Sequence, residues 1–248
     1  MKALILAAGQ GTRLGHLTKD RPKPMLPIQG RPLLQYMVEW LRDHGIKEIA
    51  INLHHRPDVV REFFGDGAHF GVAIHYSDEK ELLGTAGAAK RLEPFFDEDF
   101  VVVYGDVLTN LNLARLIDFH NQQGKNGRGM PCMTLALYNV PDPTQCGLVE
   151  TDATGHVMRF VEKPAPDQVF TDLAFSGIMI CRPMIFEYIP NESCFDFGHD
   201  LIPALLAADA PMSAQVIAKD EYVIDIGTLK GYLTAIQTRS QYTLQKVI

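Results

Sequence analysis

Four cations, Arg13, Lys19, Arg21 and Lys23, fall close together near the start of the chain, just after Gly9 and Gly11. Glycine lacks a Cβ, so its backbone can turn sharply and bring N–H groups against phosphate oxygens, which the cations would then neutralise. Residues 3–8 are continuously apolar and break at Gly9, the pattern of a short strand buried on both faces. Neither common phosphate motif fits. Leu14 stands where G-x-G-x-x-G needs its last glycine, and no Gly-Lys-Ser/Thr follows Gly9 at P-loop spacing. A phosphate-binding turn of another kind is one reading; a purely structural turn is the other, because Gly and Pro punctuation is ordinary loop chemistry. Pro22, Pro24 and Pro27 stiffen the second half of the segment and predict Lys23 on extended backbone rather than on a helix.

Two aspartates end apolar runs. Asp106 follows residues 100–105, and Asp225 follows Val223 and Ile224 just before Gly227 and Thr228. A carboxylate held at the end of a buried strand, as Asp106 is expected to be, can reach a cation bound to phosphates. Asp106 could instead serve a strand-end turn or cap a helix, and Asp225 could cap the last helix. Glu162 can accept hydrogen bonds from ligand hydroxyls, or pair with Lys163 or Arg159.

These groups need a scaffold. Apolar strands are expected at 3–8, 49–53, 72–76 and 100–104, alternating with helices from Leu33, near 57–64, at 85–92 and from Leu113 to about Gln122. Leu33, Tyr36, Met37, Trp40 and Leu41 form the apolar stripe of the first helix, and Gly45 stops it. Repeated β-α-β units predict an α/β fold, Rossmann-like and doubly wound around a mostly parallel sheet. In such sheets ligands bind beyond the carboxyl ends of the strands, where Gly9–Arg13 and Gly105–Asp106 both fall. The second half adds a mixed, antiparallel lobe. It holds a hairpin of 146–152 with 156–162, strands at 132–139, 175–181 and 214–218, and helices near 183–189, 198–208 and 228–240. Residues 124–129 read as a polar linker. The expectation is a single domain over 1–248, with 1–123 and 130–240 as its two lobes. No hexapeptide repeat announces a C-terminal β-helix.

A chain of 248 residues, 46% hydrophobic and 21% charged, suffices for one large core. A net charge of −7 disfavours nucleic acid or a membrane surface as partner. No apolar run approaches the roughly 20 residues of a membrane span, and no signal peptide is evident, so a cytoplasmic location is expected. Cys132, Cys146, Cys181 and Cys194 show no metal spacing and read as reduced, mainly buried thiols.

The Gly9 to Leu14 segment followed by Lys23-Pro-Met-Leu-Pro27 resembles the signature of the sugar-1-phosphate nucleotidylyltransferases. Further segments match in order: Leu83 to Gly87, Tyr104 to Asp106, Gly147 to Glu150, Val161 to Pro164, Phe195 to Asp200 and Asp225 to Thr228. The resemblance implies transfer of a nucleoside monophosphate from a nucleoside triphosphate to a sugar 1-phosphate. Arg13 and Lys23 would be catalytic, and Asp106 and Asp225 would hold Mg²⁺. Leu6, Ala8, Gly9, Gly11, Thr12, Arg13, Lys23, Gly84, Thr85, Gly87 and Asp106 would bind the nucleotide. Gly147, Glu162, Lys163, Ser176 and Gly177 would bind the sugar phosphate.

Leu83 to Gly87, with Asp196 to Pro203, looks more like guanylyltransferases acting on mannose or heptose 1-phosphate. UTP- or dTTP-dependent relatives, a choline phosphate cytidylyltransferase and a non-catalytic nucleotide-sugar sensor are the alternatives. A homo-oligomer is compatible with the family.

Overall fold

The computed structural model describes residues 1–124, 129–191 and 193–245, with side chains to residue 241. Residues 125–128, which carry most of the linker expected at 124–129, lie outside the described residues. The chain divides into two compact units, each assembled from separate segments.

One unit comprises Ala3–Glu81, Tyr104–Asn110 and the chain from Tyr222 on. Its framework is three parallel strands, Lys2–Leu6, Glu48–Leu53 and Ala73–Asp78. Leu6 pairs with Asn52, and Asn52 with Ser77, so the three carboxyl ends lie level. Ala3, Leu4, Ile5, Ile49, Ala50 and Ile51 are wholly buried, as their continuous apolar run requires. Connections of helix length are what parallel strands need, and Leu33–Asp43 and Pro57–Phe64 supply them. The buried face of Leu33–Asp43 is Leu33, Leu34, Met37, Val38 and Leu41. Leu33, Met37 and Leu41 of the expected stripe are buried, whereas Tyr36 and Trp40 are half-buried flanks, the Tyr36 hydroxyl donating to the Ile28 carbonyl at 2.9 Å.

A short antiparallel ladder of Val107–Thr109 with Val223–Asp225 also belongs to this unit and was not anticipated. Three-residue strands are too short to show periodicity in sequence.

The other unit comprises Met1–Lys2, Leu82–Val103 and Leu111–Glu221. Strand Leu173–Cys181 runs antiparallel to Phe100–Tyr104 and to Met133–Asn139, and Met212–Val216 joins Met133–Asn139 in parallel. The expected hairpin is present as Gly147–Thr151 with Val157–Glu162. Helices Gly84–Arg91 and Leu113–Gln123 agree with the sequence reading. The helix expected near 198–208 opens instead as a π-helical turn, Phe197–Leu201, leading into α-helix Ile202–Ala207. The segment near 183–189 is a 3-10 helix, Pro183–Tyr188. The α/β class stands, with parallel strands in the first half and mixed pairing in the second.

Cys132 and Cys181 are buried and Cys146 half-buried, but Cys194 is exposed, so the expectation of buried thiols fails at that position. Burial pushes the Cys132 thiol up to about 11 and that of Cys181 well above its ordinary value.

Candidate active site

The glycine turn leaves strand Lys2–Leu6 under restraint from two directions. Gly105 N–H donates to the Leu6 carbonyl at 2.8 Å, and Ala7 N–H donates to Asn52 Oδ1 at 2.7 Å. Gly105 has to be glycine here: a Cβ would lie 2.5 Å from the Leu6 oxygen and 3.1 Å from the Ala7 Cα. Asp106, the next residue, is thus set beside the start of the turn by backbone contact. Ala8 is buried, while Gly9 is exposed and a Cβ on it would meet nothing within 4 Å. Gly11 adopts φ 65°, and a Cβ there would press on Thr18 at 3.0 Å and on Lys23 at 3.1 Å. Thr12 opens a 3-10 run, Thr12–Thr18, broken at Gly15. The Thr18 hydroxyl closes this loop by donating to the Gly11 carbonyl at 3.1 Å.

Lys23 does not sit on extended backbone. It begins a single 3-10 turn, Lys23–Met25, closed by Met25 N–H donating to the Pro22 carbonyl and Leu26 N–H to the Lys23 carbonyl. Proline tolerates the first turn of a helix because its missing N–H would be unpaired there, and Pro24 occupies that place. The turn delivers Lys23 Nζ to Asp106 Oδ2 at 2.5 Å, with both side chains mostly buried.

Asp225 ends its short strand opposite Val107, and Ile226 N–H donates to the Asp106 carbonyl at 2.9 Å. The ladder therefore brings the two aspartates together although they stand 119 positions apart in sequence. Gly227 N–H donates to Asp225 Oδ1 at 2.5 Å. A Cβ on Gly227 would fall 2.8 Å from that oxygen and 3.0 Å from Arg13 Nη2, which places the guanidinium in the same cluster. Asp225 is exposed as a residue, yet its carboxyl is raised above its ordinary value. Burial is the largest cause and the neighbouring Asp106 the next, with Gly227 N–H, Lys23 and Arg13 pulling the other way. Two neighbouring carboxylates with hard oxygens suit a divalent cation, whose charge would offset the part of the rise that Asp106 contributes.

In the other unit, Leu83 to Gly87 and Ser193 to Phe197 clasp each other. Ala86 and Gly87 N–H groups donate to the Phe195 carbonyl at 2.8 and 2.9 Å, and Phe195 N–H donates to the Leu83 carbonyl at 2.9 Å. Gly84 has φ 72°, and a Cβ there would lie 2.6 Å from the Phe195 oxygen; one on Gly87 would lie 2.7 Å from the Ser193 oxygen. The Thr85 hydroxyl donates to Asp196 Oδ1 at 2.9 Å and accepts from Phe197 N–H at 2.9 Å.

Glu162 lies opposite Gly147 in the hairpin. Its Oε2 would be 2.6 Å from a Cβ on Gly147 and equally 2.6 Å from one on Gly198, so the carboxylate occupies a slot that two glycines open. Lys163 Nζ stands 3.6 Å from Glu162 Oε1 and remains largely exposed. Its backbone takes φ 46°, uncommon for a side chain with a Cβ, as the chain leaves the strand. Ser176 and Gly177 form a bulge within strand Leu173–Cys181. Pairing shifts between Phe175 and Met179, Gly177 adopts φ 77°, and the Ser176 hydroxyl accepts locally from Ile178 N–H at 3.2 Å.

Sequence reasoning missed Asn52, Glu79, Asp196, Gly198 and Gly227 as members of these arrangements. Asn52 carried the one available signal, a polar residue inside the run 49–53. Asp196 and Gly198 lay inside a quoted motif, but only contact across the fold shows what they hold. Among the described residues, no group of three or more His, Cys, Asp or Glu side chains could hold a metal, and no helix is long and apolar enough to cross a membrane.

Known proteins share this arrangement of the chain. Residues 2–241 match the nucleotidyl transferase family. A UTP–glucose-1-phosphate uridylyltransferase of Synechocystis is 36% identical over 251 residues, covering 96% of this chain; the chain spans 63% of that relative's length. A D-glycero-alpha-D-manno-heptose 1-phosphate guanylyltransferase of Campylobacter jejuni is 34% identical, covering 94% of this chain and 97% of the relative. The crystal structure of HddC from Yersinia pseudotuberculosis complexed with GMP-PN aligns with TM-score 0.77 and 28% identity, over 96% of this chain and 98% of that one. With the family matched from residue 2 to residue 241, the chain belongs to the nucleotidyl transferase family.

Proposed function

We propose that the protein is a sugar-1-phosphate nucleotidyltransferase, with GTP as donor and mannose or heptose 1-phosphate as acceptor. The observation that carries the reaction class is the cluster of Lys23, Asp106, Asp225 and Arg13 beside the glycine turn. A sugar-phosphate oxygen attacks the α-phosphorus, the bond from that phosphorus to the bridging oxygen breaks, and pyrophosphate leaves. The attacking phosphate is already ionised, so no side-chain nucleophile is required. Arg13 and Lys23 supply positive charge to the triphosphate and the departing pyrophosphate. Asp106 and Asp225 are the residues that would hold a divalent cation, Mg²⁺ by the hardness of their oxygens, and the bound cation would supply further charge neutralisation. Glu162, in its glycine-walled slot, would accept from sugar hydroxyls, and Lys163 beside it would hold the 1-phosphate.

The Campylobacter relative, which this chain matches almost end to end, and the Yersinia structure with GMP-PN support the guanine donor. A second reading, UTP with glucose 1-phosphate, draws on the Synechocystis relative at 36% identity. The deciding experiment is pyrophosphate release with Mg²⁺ across GTP, UTP, dTTP, CTP and ATP against mannose, heptose and glucose 1-phosphates and choline phosphate. A dominant GTP cell with mannose or heptose 1-phosphate is expected. A dominant UTP–glucose cell establishes the second reading instead, and release from no pair by folded protein overturns both.

A further inference from the structure

Three parallel strands end level in the unit that carries the glycine turn, and a polar chain crosses their ends below the surface. Ala7 N–H donates to Asn52 Oδ1 at 2.7 Å, and Asn52 Nδ2 donates to Glu79 Oε1 at 2.7 Å. Asn52 and Glu79 are only 4% and 5% exposed. Glu79 is itself fixed by its backbone, its N–H donating to the Leu53 carbonyl at 2.8 Å and its carbonyl accepting from His54 Nδ1 at 2.9 Å. An apolar residue would pack at position 52 like its neighbours Ile51 and Leu53, whereas a buried amide and carboxyl are costly unless their bonds are all made. What the amide holds is the backbone N–H at the mouth of the glycine turn, the group the strand itself leaves behind at Leu6. The Leu6 carbonyl one residue earlier is held by Gly105. The turn is therefore pinned on one side by the segment bearing Asp106 and on the other by Asn52.

We propose that Asn52 and Glu79 are positioning residues for the nucleoside triphosphate, fixing the backbone from Ala7 to Gly9 without touching substrate. Glu79 orients the Asn52 amide so that its oxygen faces Ala7, and Asn52 sets the direction in which the turn leaves the strand. The inference rests on the proposed nucleotidyl transfer only for its ligand; the contacts stand by themselves.

The test compares Asn52→Leu, Asn52→Ser, Glu79→Leu and Glu79→Gln, each checked for folding by circular dichroism and thermal melting. Readouts are direct GTP and UTP binding by calorimetry, steady-state kinetics, and hydrogen exchange of a peptide spanning residues 3–12. Asn52→Leu and Glu79→Leu should weaken binding of the triphosphate by about tenfold, leave KM for the sugar phosphate within about twofold, and speed exchange in the peptide. Glu79→Gln keeps an acceptor oxygen for Asn52 and should behave like the parent. Asn52→Ser makes the same test with a smaller change, should leucine prevent folding. Folded Asn52→Leu or Asn52→Ser with unaltered triphosphate binding and exchange overturns the proposal. Faster exchange with equal losses toward both substrates also overturns it, as a general structural role. Failure of the functional reading looks different: the parent protein itself then binds neither triphosphate, and the positioning role falls with it.

Discussion

Two glycine-bearing segments, residues 9–11 and residues 84–87, look alike in sequence and are glycine for opposite reasons. At Gly84 and Gly87 the empty Cβ position is filled by the backbone of Phe195 and Ser193, so these glycines serve the fold of their own unit. At Gly9 nothing lies within 4 Å, and four cations follow within fourteen residues. A glycine whose missing side chain leaves open space next to positive charge is the one to associate with a ligand; a glycine whose space is occupied by protein is the one to associate with stability. Gly11 stands between the two cases, since its φ of 65° is a backbone requirement and its near neighbours are Thr18 and Lys23.

The largest effect expected lies in the charged cluster beside the open glycine. Lys23→Ala and Asp106→Ala should each lower kcat by about 10²–10³-fold, as loss of one preorganised electrostatic partner does elsewhere, while the protein stays folded. Pyrophosphate release at the parental rate in either variant would remove the cluster from the chemistry. Next comes Gly84→Ala, which forces a Cβ into the Phe195 backbone at positive φ and should destabilise by about 2–3 kcal/mol in urea unfolding. An unchanged midpoint would erase the contrast between the two segments. Gly9→Ala is the complementary case: stability within about 0.5 kcal/mol of the parent, but KM for the triphosphate raised about tenfold. Should the unfolding midpoint fall and KM hold, Gly9 belongs with Gly84 instead.

The smallest effect is a pH dependence away from both segments. His120 is wholly buried, with Nδ1 2.7 Å from Thr134 Oγ1 and Nε2 3.3 Å from Asp99 Oδ2. Burial lowers its value below the ordinary 6.5, outweighing the opposing pull of Asp99. The unfolded chain then takes up a proton at a higher pH than the folded one. This contribution to stability is constant above the unfolded value and declines as pH falls from 6.5 through the folded value. Denaturant titrations at pH 8, 6 and 5 should show the decline in the parent and a shallower one in His120→Gln; parallel profiles would assign the decline to other groups.

Much of this architecture could be read from residue order alone. Strands Glu48–Leu53 and Phe100–Tyr104 and helix Pro57–Phe64 announce themselves by apolar runs or by a proline start and a glycine stop, all local signals. The ladder of Val107–Thr109 with Val223–Asp225 could not be found that way, since its pairing is a property of two distant segments. The 3-10 turn at Lys23 was missed because proline fixes its own φ and says less about whether the preceding residue closes a turn. Asp106 and Asp225 were both visible as strand-end carboxylates, and their juxtaposition follows only from the ladder. The brace of Asn52 and Glu79 was invisible because nothing in their local sequence says which backbone group they hold.

The unit that carries Lys23, Asp106 and Asp225 is written in three instalments, Ala3–Glu81, Tyr104–Asn110 and the chain from Tyr222 on. During synthesis the first instalment must wait for Asp225 while the intervening residues emerge, on the order of ten seconds at ordinary elongation rates. Its three parallel strands can pair in that interval, but the second carboxylate has not yet been made. A nascent chain, or one terminated before residue 225, therefore cannot assemble the charged cluster, and chemical competence waits on the third instalment.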